Sequence, residues 1–129
     1  MTDRKRTILC VDDEERDLQL QRYTFEEAGF DVSLARDLGE VKANLQRQHI
    51  HAVVLDYRLM NADPIHIAIS VRKLYPRMPI VILSGFVDDI PEYFKRAVDA
   101  CMHKNQDRAD WVNVVQSQIG PQGATANGG

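Results

Sequence analysis

Five side chains stand where this sequence could do chemistry: Asp12, Asp13, Asp56, Ser84 and Lys104. Each closes, or directly follows, a short apolar run. Thr7-Ile8-Leu9-Cys10-Val11 leads into Asp12-Asp13, Ala52-Val53-Val54-Leu55 into Asp56, Ile80-Val81-Ile82-Leu83 into Ser84, and Ala100-Cys101-Met102 into His103-Lys104. A carboxylate leading out of a hydrophobic run is costly unless something neutralises or uses it. Three acids brought together repel, which raises their pKa values unless a cation sits among them. Carboxylate oxygens suit Mg²⁺ rather than zinc, and no Cys/His cluster competes for a softer metal. A divalent ion beside an aspartate, with an ammonium and a hydroxyl nearby, is equipment for a phosphoryl group. The metal and Lys104 would neutralise its equatorial oxygens, Ser84 would donate to one of them, and Asp56 would be the nucleophile.

These residues meet only if the elements behind them put every run end on one edge. The runs are short, and Ala52 to Leu55 is β-branched in its middle, the pattern of strands buried on both faces. Between them the spacing becomes helical. Leu18, Gln21, Phe25 and Ala28 form a stripe over residues 16–28, weakened by Gln21 and stopped by Gly29. Phe30 to Ala35 alternates as an edge strand would. Asp37 can cap a helix to about Gln48, with Leu38, Val41 and Leu45 inward. Asp63-Pro64 opens another to Tyr75, with Ile65, Ala68, Val71 and Leu74 inward. Asp88 to Pro91 starts a short helix carrying Tyr93, Phe94, Ala97 and Val98. Asp107 or Asp110 caps the last, through Trp111, Val112, Val114, Val115 and Ile119. Tyr93, Trp111 and Val115 fit either a partner surface or the core.

Strands alternating with helices predict an α/β fold: a five-stranded parallel sheet, doubly wound, with helices on both faces as three αβα layers. In such sheets ligands bind beyond the carboxyl ends of the strands. The chain of 129 residues reads as one domain over residues 1–120, with 121–129, rich in Gly, Pro, Ala and Asn, as a disordered tail. A net charge of −3 gives no reason to expect nucleic-acid or anionic-membrane binding. No apolar run approaches a membrane span, and the charged start is unlike a signal peptide. Cys10 and Cys101 form no metal or redox spacing and suit a reducing, cytoplasmic setting. His49 and His51 have a metal-like spacing but sit where a helix ends and a strand begins.

With the four run ends in order, the sequence resembles the receiver domain of two-component response regulators, the CheY-like superfamily, over about residues 6–119. The acidic pair appears as Asp12-Asp13 in ILCVDDE, the phosphoacceptor as Asp56 in VVLDYRLM, the hydroxyl and small residue as Ser84-Gly85 in VILSG, and the lysine as Lys104 in MHKN. The resemblance implies strand order 2-1-3-4-5, Mg²⁺ held by Asp12, Asp13, Asp56 and the Arg58 backbone carbonyl, and a phosphoryl group bound by Ser84, Gly85 and Lys104. It implies a sensor histidine kinase or phosphotransfer protein as donor, and an unidentified downstream protein, or a dimer of the chain, as the output.

Two positions depart from the family. Asn105 follows the lysine where the family has a proline in a cis peptide. A cis bond before a non-proline residue costs about 2.5–4 kcal/mol, so a trans peptide or a strained turn is expected. Cys101 stands where the family carries a switch aromatic, which predicts a non-standard switch. The Ser84 to Lys104 spacing is also slightly short. Two rival functions remain. A haloacid-dehalogenase-type phosphatase would need an acid at Asp56 plus two, where Arg58 stands. A receiver-like module could also bind partners without phosphorylation.

Overall fold

The apolar runs that lead into polar ends all become strands of one sheet. In the computed structural model, which describes residues 5–120, these are β1 (Thr7–Val11), β2 (Asp31–Ala35), β3 (Ala52–Asp56), β4 (Ile80–Ser84) and β5 (Ala100–His103). They alternate with α1 (Glu15–Glu27), α2 (Leu38–Arg47), α3 (Pro64–Leu74), α4 (Glu92–Ala97) and α5 (Arg108–Ile119). All neighbours pair in parallel, in the order β2-β1-β3-β4-β5. Central β3 and β4 are buried at every residue, as continuous apolar runs require.

Alternation along the strands sends side chains to two separate cores. Val53 and Leu55 pack with Val41 and Leu45 of α2, Ile67 and Val71 of α3, and Phe94 of α4. Ala52 and Val54 pack with Leu18 and Phe25 of α1 and with Trp111, Val115 and Ile119 of α5. Three layers result. Phe25 meets Phe30 edge-to-face with ring centroids 6.2 Å apart, and truncating so buried a ring costs about 3–5 kcal/mol.

Local signals set the ends of the helices. The Asp37 carboxylate accepts from the Glu40 amide at 2.8 Å, while Glu40 Oε1 accepts from the Arg36 amide at 2.7 Å; each side chain satisfies a backbone donor near the helix start. Asp63 accepts from the Ile65 amide at 2.9 Å, with Pro64 opening α3. Gly29 ends α1 at φ 100°, a conformation glycine adopts without steric cost.

Several sequence expectations shift. On α3 the buried stripe is Ile67, Ala68 and Val71, while Leu74 is exposed and Ile65 only half-buried. The helix is apolar on more than one face, and periodicity does not choose among such faces. Ala28 is exposed and Thr24 takes the inward place on α1. Asp88 and Asp89 lie in a 3-10 turn before α4, whose six residues make it as short as expected. Asp107 stands at the N-cap of α5 but makes no capping hydrogen bond. Trp111 and Val115 belong to the core, whereas Tyr93 is exposed. The expected tail at 121–129 lies outside the described residues.

Candidate functional site

Three strand ends use one device to aim their side chains. Asp12 Oδ1, after β1, accepts from the Glu14 amide at 3.0 Å. Asp56 Oδ1, at the end of β3, accepts from the Arg58 amide at 3.2 Å. Ser84 Oγ, at the end of β4, accepts from the Phe86 amide at 3.0 Å. Each side chain thus closes a turn with the amide two residues on, the local bond that Asp and Ser favour. Ser84 spends an oxygen lone pair this way, so its hydroxyl proton stays free to donate. All three side chains are buried.

Lys104 is brought in by β5. Its amide donates to the Ser84 carbonyl at 2.9 Å, which ties the turn after β5 to the end of β4. The ammonium lies 3.4 Å from Asp12 Oδ2, 3.4 Å from Asp56 Oδ2 and 2.7 Å from Asp17 Oδ2. Asp12, Asp13 and Asp56 each offer an oxygen within 4.8 Å of the others. Asp13 is half-buried, and its Oδ2 accepts from the Met60 amide, pinning the loop after β3.

Burial is the largest influence on Asp56, followed by the charge of Asp12; together they overcome the opposing pull of Lys104 and lift its pKa to about 7. Burial by itself pushes the Lys104 pKa down, but the hydrogen bond to Asp17 and the charges of Asp56, Asp12 and Asp17 reverse that, leaving the ammonium strongly favoured. A site that holds three carboxylates this close, with the pKa of Asp56 raised by burial and by Asp12, suits a divalent cation. The donors fit Mg²⁺. All are hard oxygens, and an oxygen that accepts one amide keeps a second lone pair.

Gly85 has open space where a Cβ would stand. The bond after Lys104 is trans, since no cis peptide occurs among the described residues. Cys101 is half-buried against the core that holds Phe94 and Val98, and burial raises its thiol pKa. The Arg58 guanidinium reaches Asp89 at 2.9 Å and lies 4.5 Å above the Phe86 ring, latching the loop after β3 to the loop after β4.

Two further residues, both on α1, reach the site. Gln21, only 2% exposed, donates from Nε2 to Asp12 Oδ2 at 3.2 Å. Asp17 makes the shortest contact to Lys104. Four residues apart, they share the face of α1 that looks at the site. The signal was present: an amide on an apolar stripe is a buried polar group in want of a partner.

Comparison with known proteins decides the family. The response regulator receiver domain matches residues 8–116. The chain belongs to that family. As a receiver of two-component systems, it shares 31% identity over 88 residues with HoxA, the hydrogenase transcriptional regulatory protein of Cupriavidus necator, spanning 68% of this chain but 18% of that protein. A putative NtrX-like response regulator of Rickettsia conorii is 34% identical over 80 residues, 60% of this chain and 17% of that one. The receiver's match thus spans under a fifth of either relative's length. Among solved structures, a CheY-like receiver protein of Methanospirillum hungatei superposes with TM-score 0.81 at 19% identity, covering 98% of this chain and all of that one. TrrA of Thermotoga maritima, solved in complex with Mg²⁺ and BeF, gives TM-score 0.80 at 20% identity, covering 88% and 98%. At such identities the likeness speaks for the fold, with its CheY-like strand order. Receivers are signalling domains, not classical enzymes, and in general bind Mg²⁺ at an acidic pocket. No helix among the described residues is long and apolar enough to cross a membrane.

Proposed function

We propose that this receiver, taken as residues 1–120, accepts a phosphoryl group on Asp56 from a sensor histidine kinase or a phosphotransfer protein. The observation that carries this is the meeting of Asp56 Oδ2 with the Lys104 ammonium at 3.4 Å, beside the carboxylates of Asp12 and Asp13. In the step, an Asp56 carboxylate oxygen forms a bond to phosphorus as the bond to the donor's histidine nitrogen breaks. That nitrogen leaves with the electron pair, and an acyl phosphate forms on Asp56. Lys104 neutralises phosphoryl oxygens from one side, and Ser84 donates its free hydroxyl proton to another. Asp12, Asp13, Asp56 and the Arg58 carbonyl would hold Mg²⁺, which when bound neutralises charge on the transferring group. Gly85 leaves open space beside Ser84 for the group's oxygens. Transfer happens once per activation, a self-catalysed modification.

The phosphorylated surface is read by a downstream protein or by a second copy of the chain. An aromatic rotamer does not carry the signal, because the half-buried Cys101 thiol is too small to move a comparable surface. The amide spectrum with and without beryllofluoride checks this: changes centred on Cys101 and spreading along α5 would contradict it. Its relatives' names describe transcriptional regulators, so contact with nucleic acid would belong to a longer protein carrying this domain. Cytoplasmic placement is proposed from the usual setting of such domains. The phosphatase reading has less support, because the Arg58 side chain is engaged with Asp89 and Phe86 and supplies no acid. Turnover of p-nitrophenyl phosphate that Asp56→Asn abolishes would restore it.

A further inference from the structure

Lys104 is better held by Asp17 than by either residue it would serve. Its side chain leaves a turn at the end of β5, and three carboxylates within 3.4 Å set where the ammonium rests. The 2.7 Å contact to Asp17 Oδ2 is a full charge-assisted hydrogen bond. The contacts to Asp12 and Asp56 are both 3.4 Å, longer than a good bond of this kind. Asp17 lies in the first turn of α1, with its side chain 37% exposed. Gln21, one turn on, occupies the Asp12 oxygen that also faces Lys104. Both features draw the ammonium toward α1.

We propose that Asp17 is a positioning residue that restrains phosphoryl uptake by holding the Lys104 ammonium in the resting state. A tetrahedral anion arriving at Asp56 recruits Lys104 against the competing Asp17 carboxylate, and Asp17 adds a negative charge beside the incoming one. Asp17→Asn keeps the shape and a hydrogen-bonding oxygen but removes the ionic hold. A residue needed only for folding would weaken anion binding, or leave it unchanged, when replaced; a restraint gives the opposite sign. The inference rests on the phosphoacceptor reading and extends it to a regulator of the same site.

Beryllofluoride with saturating Mg²⁺ is the probe. Trp111, the single tryptophan of the chain, is the reporter: its indole donates to the His103 carbonyl at 2.9 Å, one residue before Lys104. Asp17→Asn is expected to lower the half-saturating beryllofluoride concentration about three- to fivefold, the size of a partly exposed ion pair. Glu15→Gln, which neutralises another carboxylate of α1 paired with Arg36 instead, is expected to leave it unchanged. Unchanged or weaker binding by Asp17→Asn would overturn the restraint while leaving the phosphoacceptor reading intact. Equal tightening by Glu15→Gln would overturn it too, by showing a general field. Absence of binding by the unaltered protein would overturn both readings.

Discussion

At the amino ends of β4 and β5, Asp99 Oδ2 accepts from the Ile80 amide at 2.8 Å and from Arg72 at 3.0 Å. Arg72 in turn donates to the carbonyls of Pro76 and Ala97. Charge, amide and carbonyl are matched there, and the result ties α3 to the start of two strands. At the carboxyl ends of the same sheet, Asp12, Asp56 and Asp17 share Lys104, with Asp13 crowded beside Asp12 and Asp56. One edge is satisfied; the other holds more carboxylate than it can neutralise. The difference separates a closed network that ties the fold together from a crowded edge whose carboxylates suit a cation. It also means that removing an acid should have opposite consequences at the two edges.

The largest effect is expected from Lys104→Ala. Loss of one preorganised donor to transferring charge commonly slows a reaction by about 100- to 1000-fold, so labelling by acetyl phosphate should slow to that degree. A loss under tenfold would make Lys104 a bystander. The sharper comparison uses thermal or urea unfolding without metal at pH 8. Asp99→Ala should destabilise by about 1–3 kcal/mol, because it strands the Ile80 amide and Arg72. Asp56→Asn should stabilise by a similar about 1–3 kcal/mol, because it relieves burial and repulsion. Equal signs would dissolve the contrast between the edges.

A pH series tests the same strain. The folded pKa of Asp56, about 7, lies above its ordinary 3.8, so the folded state binds the extra proton between those values. Its contribution to stability therefore falls as pH rises from about 4 to about 7 and is level above that. The gain from Asp56→Asn should be present at pH 8 and shrink toward pH 5. A gain unchanged over that range would mean burial and Asp12 do not raise the pKa. The smallest effect is expected at Cys101→Ser, which should change acetyl phosphate labelling less than twofold, because the thiol contacts the core and not the site.

Much of this was readable from the chain, and the reasons for the misses are specific. Four of the five strands are apolar runs that lead into a polar residue, and parallel topology forces such ends to one edge, so Asp12, Asp56, Ser84 and Lys104 group together without coordinates. The turns that aim them also follow from residue type, because Asp and Ser close on the amide two residues later. The face of α3 was misread because Ile65, Ile67, Ile69 and Leu74 offer competing stripes, and only packing on β3 and β4 chooses among them. Gln21 looked like a flaw in an apolar stripe because its partner, Asp12, lies on another element. Asp17 gave no periodic signal, since its role depends on where a lysine 87 residues later in the chain places its ammonium.

We propose that Asp56 takes the phosphoryl group at this crowded edge. Mass spectrometry after acetyl phosphate and Mg²⁺ tests it most directly. The unaltered protein should gain the mass of one phosphoryl group, lost on treatment with hydroxylamine as an acyl phosphate is, and Asp56→Asn should gain none. Failure of the unaltered protein to label while Mg²⁺ is bound, or equal labelling of Asp56→Asn, would contradict the account.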